Sequence, residues 1–258
     1  MVESHDSQGF AARFGRTPSP CDHCGARAQS FCDVLKGQEF QQLAAIVLSH
    51  SYEPRQTIVQ EGDPADFLMN VIAGTVKIFR ALPDGRTQII GFLSEGDFMG
   101  MPPGHTYEVS AESVTAVEIC NFPRRSFERL LKEYPTLERR LFDLASNEIA
   151  AAHDHMLLLG RKTARERVAS FLIQRSSKPP CAHGSEPCAE LPMTRAEVAD
   201  FLGLTMETVS RTLTAFRRER LITAGSHDQF LLTGFEDLKR IAGGADSGGT
   251  HRTPPADR

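Results

Sequence analysis

No run of apolar residues in this chain approaches the length a bilayer demands, so a membrane-spanning helix is excluded. The N-terminus carries Glu3 and Asp6 and has no apolar h-region, so no secretory leader is expected and the cytoplasm is the default compartment. Tryptophan is absent, but 40% hydrophobic and 24% charged residues still make an ordinary globular balance. The 258 residues allow one large domain or two of ordinary size. Also missing are a Gly-rich phosphate loop, an HExxH pair and a nucleophile elbow, which removes the enzyme classes those motifs serve.

Cysteine is not scarce. There are six, and in a reducing compartment they point to metal or redox chemistry before structural disulfides. Cys21, Cys24 and Cys32 are spaced C-x2-C-x7-C, and Cys120 stands alone in the apolar run 117–122. Three clustered thiols plus one delivered by folding make a four-thiolate pocket, suited to an iron–sulfur cluster or to zinc, with His23 as a further donor. Cys120 alone reads as a buried apolar cysteine. Cys181 and Cys188 with His183 form a poorer second cluster in what reads as the loop 176–190, with room for an auxiliary redox pair.

The segments 57–59, 67–72, 76–79, 87–92 and 114–119 are rich in β-branched and aromatic residues and are separated by Gly turns, as in an all-β barrel or roll. Asp84-Gly85 is the strongest hairpin signal among those turns. From Pro123 the period becomes helical. A helix spans 124–133, Pro135 interrupts, and a longer helix covers 136–160. Leu137, Leu141, Leu144, Ala151 and Leu158 recur along it in steps of three, four and seven, a seam that suits a coiled-coil dimer or packing on the helix's own domain. Asp154 falls beside that seam, where carboxylates facing across a two-fold axis would repel. A further amphipathic helix spans 165–174. Residues 1–20 read as loose and 243–258 as a disordered tail.

Net charge is −4, yet Arg161–Ile222 holds eleven Lys or Arg against seven Asp or Glu, a basic module on an acidic chain. Within it Thr194 and Glu197 form a capping box that opens a helix to about Leu202. Gly203 supplies a left-handed turn, and Thr205 caps a second helix to about Arg218. Ala199, Leu204, Val209 and Leu213 fall where the two helices meet. Glu207, Ser210 and Arg211 share one face of the second helix's first half, the part that enters a major groove. Arg can grip guanine, Glu can accept from cytosine, and Ser can touch base or phosphate. The alternative is a solvated face with a Glu207–Arg211 ion pair. Arg217, Arg218 and Arg220 flank the face, and 221–223 with 230–232 read as a hairpin wing.

A β-roll, a long helix and a winged helix–turn–helix in that order resemble the CRP/FNR family of bacterial transcription factors over roughly residues 40–240. The segment MTRAEVADFLGLTMETVSRTLTAFRRERLI is specific for it. The resemblance implies an α+β chain, with a cysteine-bearing segment at 1–35, a cyclic-nucleotide-binding-like roll at 36–133, a dimerisation helix at 134–160 and a DNA-binding domain at 161–242. Leu137, Leu141, Leu144, Ala151, Asp154 and Leu158 then belong to the dimer interface, and Thr205, Glu207, Thr208, Ser210, Arg211, Arg217 and Arg218 to the DNA interface. Glu207, Ser210 and Arg211 match the E-x-x-S-R of the FNR type and imply a TTGAT–ATCAA-like palindrome. Cys21, Cys24, Cys32 and Cys120 match the oxygen-sensing FNR branch, whose ligands hold a [4Fe-4S] cluster, with Zn2+ as the alternative occupant. The cysteine spacing is wider than the enteric form and looks like an α-proteobacterial version. After the Gly96-Asp97-x-x-Gly100 turn no Arg follows closely, so the phosphate clamp of the cyclic-nucleotide members is missing and cAMP is not expected. Double-stranded DNA, RNA polymerase and a second copy are the implied partners, with no membrane. Other readings are a haem- or thiol-responsive member, for which His153 and His155 are available without a framed haem pocket, and a zinc-stabilised adaptor.

Overall fold

A computed structural model describes residues 21, 24–102, 104–177, 187–225 and 228–244. The segment 1–20, the tail beyond 244, His23, Cys181 and His183 lie outside these described residues.

Eight strands form the roll: β1 Leu48–Tyr52, β2 Thr57–Val59, β3 Phe67–Ala73, β4 Val76–Ala81, β5 Thr87–Leu93, β6 Phe98–Met99, β7 Ser110–Ser113 and β8 Val117–Pro123. They pair antiparallel as two four-stranded sheets, ordered β1-β8-β3-β6 and β2-β7-β4-β5. Met69, Val71, Val76, Ala111, Val117 and Ile119 fill the space between the sheets. Asp84-Gly85 turns the β4–β5 hairpin as expected, with Gly85 at φ +86°.

Two strand expectations need correction. Of the expected strand 114–119, residues 114–116 are the turn from β7 and 117–119 begin β8, which runs on to Pro123. Thr75 holds that turn, taking Val114 N on its carbonyl and donating its own N–H to Thr115 Oγ1 at 2.9 Å. Gly74 makes it possible, because a Cβ there would lie 2.2 Å from Ala116 O. Strand β1 escaped notice because LSHSY is a mostly exposed strand with one neighbour, β8, and so shows little alternation.

Helix α1 (Gly37–Ala45) precedes the roll, and α2 (Arg124–Glu133) and α3 (Pro135–Arg161) follow it. Pro135 separates the two helices as expected and is itself the first residue of α3, where its missing N–H costs nothing. At 27 residues, α3 is about 40 Å long. The roll occupies its first half, since Leu137 and Leu141 are buried with Phe122, Phe127 and Leu68, and Leu144 packs against the same core. Leu158, in the second half, is buried in the C-terminal core.

Of the two readings of the leucine seam, packing on the helix's own domain is the one seen. Leu137, Leu141 and Leu158 are already covered by their own protomer. The exposed apolar stripe is Phe142, Ile149 and Met156, 71%, 58% and 60% exposed and spaced by sevens. Ala151 and Asp154 are exposed, but Asp154 lies roughly 160° round the helix from Met156, so it does not flank that stripe. The heptad period was legible; two interleaved apolar stripes share it, and the leucines belong to the inward one.

The C-terminal domain comprises α4 (Ala164–Gln174), β9 (Ser176–Ser177), β10 (Cys188–Glu190), α5 (Arg195–Leu202), α6 (Met206–Arg218), β11 (Thr223–Ala224), β12 (Gln229–Leu231) and α7 (Phe235–Ala242). The hairpin wing is part of a four-stranded sheet ordered β11-β12-β10-β9. The segment 176–190, read as a loop, thus has strands at both ends. They are too short to show a period, and pairing with β12 defines them. Cys188 in β10 is buried and disulfide-bonded rather than a loop thiol.

Candidate nucleic-acid interface and thiol cluster

The helix pair forms as its residues dictate. Thr194 Oγ1 accepts from Glu197 N at 3.2 Å, and Glu197 Oε2 accepts from Thr194 N at 2.7 Å, so both halves of the capping box are present. Gly203 ends α5 at φ +60°, ψ +43°, the left-handed conformation expected of it. Thr205 Oγ1 then accepts from Thr208 N at 3.2 Å and opens α6. Val198, Ala199 and Leu202 of α5 and Val209, Leu213 and Phe216 of α6 are buried in one core, which fixes the crossing.

That burial turns the opposite face of α6 outward. Glu207, Ser210, Arg211, Arg217 and Arg218 are all exposed. Among the described residues no ion pair joins Glu207 to Arg211. Arg211 Nη2 instead donates to Thr208 Oγ1 at 3.4 Å, so the carboxylate and the guanidinium both remain available to base edges. Thr205 and Thr208 serve chiefly as the cap of α6 and the support of Arg211. Sequence reading missed Arg195, the first residue of α5. Its guanidinium lies 5.1 Å from the Phe230 ring centre and that of Arg217 lies 5.2 Å from it, beside a cavity of about 290 Å³ that Thr194, Asp228 and Gln229 also line. Burial, then the neighbouring charge of Arg217, lowers the Arg195 pKa, the electrostatic mark of a place that favours an anion. The signal in the sequence was there: a basic residue in the first turn of a helix, where the macrodipole already attracts phosphate.

The cysteines sit at the other end of the molecule. Two 3-10 turns, Gly25–Gln29 and Phe31–Val34, carry the N-terminal thiols. Phe31 is fully buried and meets Phe98, Phe122 and Phe127 edge-on at centroid distances of 5.2, 5.2 and 5.4 Å. Ala26 and Leu35 are also fully buried. Arg27 lies over the Phe40 ring at 3.7 Å and donates to Leu35 O at 3.1 Å. Gly96 lets the roll approach this segment, since a Cβ there would lie 2.7 Å from Gln29 Cβ. Cys120 is in β8, the strand between β1 and β3, opposite Asn70.

Cys21 and Cys120 are buried, and Cys24 and Cys32 half-buried. Burial pushes the Cys32 thiol up to about 12; Ser30, whose hydroxyl faces it, and Arg27 oppose the shift, while Cys21 and Cys24 add to it. Cys120 is likewise pushed up to about 12, first by burial and then by Cys21, Cys24 and Cys32. Cys32 feels Cys21 and Cys24, and Cys120 feels all three N-terminal thiols, so the fold brings the four predicted ligands into electrostatic range. Among the described residues no three donors are close enough to ligate one ion. The donor set nonetheless fits a soft-metal group. It is all sulfur, it is water-poor, and its thiolates would need compensating positive charge to exist at neutral pH. Asn70 Oδ1, on the residue paired with Cys120, is a buried polar atom without a partner.

The turn after Gly100 is reached by one arginine, Arg124, whose guanidinium is engaged by Gly104 O at 2.7 Å, Pro102 O at 3.3 Å and Glu128 at 3.0 Å.

Residues 49–134 match the cyclic nucleotide-binding domain family, and residues 166–241 match the Crp-like helix–turn–helix domain. The transcriptional activatory protein AadR of Rhodopseudomonas palustris is 40% identical over 78% of this chain and 84% of its own length. The chain belongs to the CRP/FNR family. CRP/FNR proteins are DNA-binding transcription regulators, not enzymes, and their α+β architecture of roll, helix and helix–turn–helix is the one found here. The transcriptional activator FnrL of Cereibacter sphaeroides, another CRP/FNR relative, is 35% identical over 89% of this chain and 94% of its own length. Among solved CRP/FNR structures, FixK2 from Bradyrhizobium japonicum superposes with a TM-score of 0.71 at 33% identity, covering 76% of this chain and 97% of that one. No helix among the described residues is long and apolar enough to cross a membrane.

Proposed function

We propose that this protein is a cytoplasmic, oxygen-responsive activator of genes used at low oxygen. It binds a TTGAT–ATCAA-like palindrome as a dimer while Cys21, Cys24, Cys32 and Cys120 hold a [4Fe-4S] cluster, and it works with RNA polymerase and without cAMP. The observation that carries the reading is the pairing, on one chain, of an outward Glu207-Ser210-Arg211 face with four thiols gathered against the roll. The relatives named as transcriptional activators support the activator role.

When bound, the cluster supplies an oxygen-labile iron–sulfide core that ties four thiolates together. The chain's own residues do the rest. Phe31 and Leu35 pack against the core that also buries Leu137 and Leu141, so the thiol-bearing segment buttresses the first half of α3. A buttressed α3 presents Phe142, Ile149 and Met156 as a straight stripe to a second copy. The two-fold axis then sets two α6 helices about one DNA turn apart. Without the tie, the segment keeps only its packing, Phe31, Leu35 and Ala26 in the core and Arg27 over Phe40, and the seam loses part of its backing. Zinc is the rival occupant, and it would brace the segment without answering to oxygen.

Fluorescence anisotropy of oxygen-free protein on the palindrome tests the reading. Arg211→Ala should weaken binding by about 1–3 kcal/mol and blur discrimination at one base pair. Cys120→Ala should weaken it by impairing dimerisation. A Cys120→Ala protein that binds as wild type does overturns the thiol control.

A further inference from the structure

The DNA-binding domain is joined to the roll by more than the chain between α3 and α4. Lys77 of β4 sends its ammonium to Glu197 Oε1 of α5 at 2.8 Å and to Glu112 Oε1 of β7 at 2.7 Å. The three side chains are 16%, 19% and 25% exposed, well shielded for an ion triad. Next to them Gln88 Nε2 of β5 donates to Asp200 O of α5 at 2.7 Å. Phe92 of β5 packs on Phe201 of α5 at 5.5 Å between centroids, and Arg175 Nη1, just after α4, donates to Ser94 Oγ at 3.1 Å. Ile89 of β5 is buried in the same core as α5 and α6.

Glu197 has two tasks at once. Its Oε2 closes the capping box of α5 through Thr194, and its Oε1 takes Lys77. One carboxylate therefore ties the roll to the start of the helix that fixes the direction of α6. The roll is in turn seated on the first half of α3 through Leu137 and Leu141. The angle of α6 relative to α3 is thus held at the end of α3, by Leu158 in the C-terminal core and His155 stacked on Phe201 of α5, and at the roll, by the Lys77–Glu197 ion pair with the Gln88–Asp200 and Phe92–Phe201 contacts beside it. The extended backbone at Lys162 and Thr163 is the joint these contacts span, and Lys77–Glu197 is the ion pair that ties its far side to the roll.

We infer that Lys77 and Glu197 are positioning residues for DNA recognition: by locking α5 to the roll they set the separation and twist between the two recognition helices, and so make the protein selective for the spacing between half-sites. The inference rests on the dimeric reading above. Neither residue needs to touch DNA, and affinity for one half-site is not what they control. Moving the half-sites by one base pair shifts one about 3.4 Å and turns it about 35° relative to the other. A locked dimer cannot follow both changes, whereas a hinged one can follow much of them.

The test is anisotropy with duplexes carrying the same two half-sites at the preferred spacing and with one or two base pairs added or removed, beside a single half-site duplex. Glu197→Gln keeps the helix cap, because Gln also serves at that position, and removes the charge that holds Lys77. Wild type should lose on the order of tenfold per base pair of altered spacing, and Glu197→Gln about threefold or less, with half-site affinity unchanged. Lys77→Met should behave as Glu197→Gln, and Lys77→Arg should restore most of the discrimination. A merely stabilising pair would shift melting temperature while leaving the spacing profile intact, and that result overturns the inference, as does a wild-type profile in Lys77→Met. A wild type that is itself indifferent to spacing instead overturns the dimeric reading, which sedimentation on the same sample reports separately.

Discussion

Phe31 is the residue whose loss should most directly uncouple the thiol-bearing segment from the fold. It is fully buried, lies between Ser30 and Cys32, and meets three aromatic rings at 5.2 to 5.4 Å. Replacing a core Phe by Ala costs about 3–5 kcal/mol, and edge-to-face pairs of this kind contribute about 0.5–1.5 kcal/mol each beyond area. Three such pairs put Phe31→Ala near the top of the range if the segment stays docked. The segment has another course, because it can detach. Its docking free energy then caps the global loss, and the remaining effect appears as exposure of Cys32 and Cys120. Phe31→Leu keeps most of the volume, loses the ring edges, and should cost about 1–2 kcal/mol.

Urea unfolding followed by circular dichroism measures the global term, since a chain without tryptophan gives little fluorescence to follow. Pulsed thiol labelling under native conditions measures the local one. The expected result for Phe31→Ala is a stability loss of at least about 2 kcal/mol, or labelling of Cys32 and Cys120 faster by tenfold or more, the two being alternative outlets of one energy. Wild-type stability combined with wild-type labelling would refute the claim that Phe31 pins the segment.

Three further outcomes follow from the geometry. Ile149→Glu puts charge into the exposed stripe of α3 and should shift sedimentation to monomer and abolish palindrome binding, whereas Asp154→Ala should leave the monomer–dimer equilibrium unchanged. His155 stacks on Phe201 at 4.4 Å, and burial holds its pKa below the ordinary 6.5. The folded state thus favours the neutral ring, so its contribution is complete above about pH 6.5 and is lost as pH falls through the folded value; His155→Phe should flatten the thermal stability profile from about pH 6.5 downward. Gly96→Ala must move Gln29, because its Cβ would meet Gln29 Cβ at 2.7 Å and its φ of +90° is strained for alanine, so it should speed Cys32 labelling much as Phe31→Ala does.

The two ends of the chain differ in how far they could be read beforehand. The helix pair was legible to the residue because local chemistry fixes it. Thr194 and Glu197 cap one helix, Gly203 turns the chain, and Thr205 caps the next, all within twelve positions. The roll was legible in strands whose faces alternate, but not in β1 and β7, where pairing decides the structure. The gathering of Cys120 with Cys21, Cys24 and Cys32 came from family resemblance and could not come from spacing, since it depends on contacts between residues nearly a hundred positions apart. The leucine seam of α3 took the second of its two readings, packing on its own domain, for a definite reason. Leucines at helical spacing signal burial, and on α3 their own protomer buries them, leaving Phe142, Ile149 and Met156 outside. Lys77 and the second task of Glu197 were invisible because each acquires its partner only in the fold, whereas Arg195 was marked by its place in the first turn of α5.

The central claim is that an oxygen-labile group on four thiols governs DNA binding. The most direct measurement is the absorption spectrum and metal content of protein prepared without oxygen, taken together with its affinity for the palindromic duplex before and after air. The account predicts a broad iron–sulfide band, iron and sulfide in the ratio of one four-iron cluster per chain, and loss of both the band and tight binding on exposure. A colourless protein that carries zinc or no metal, and binds the duplex equally well in air, would contradict it.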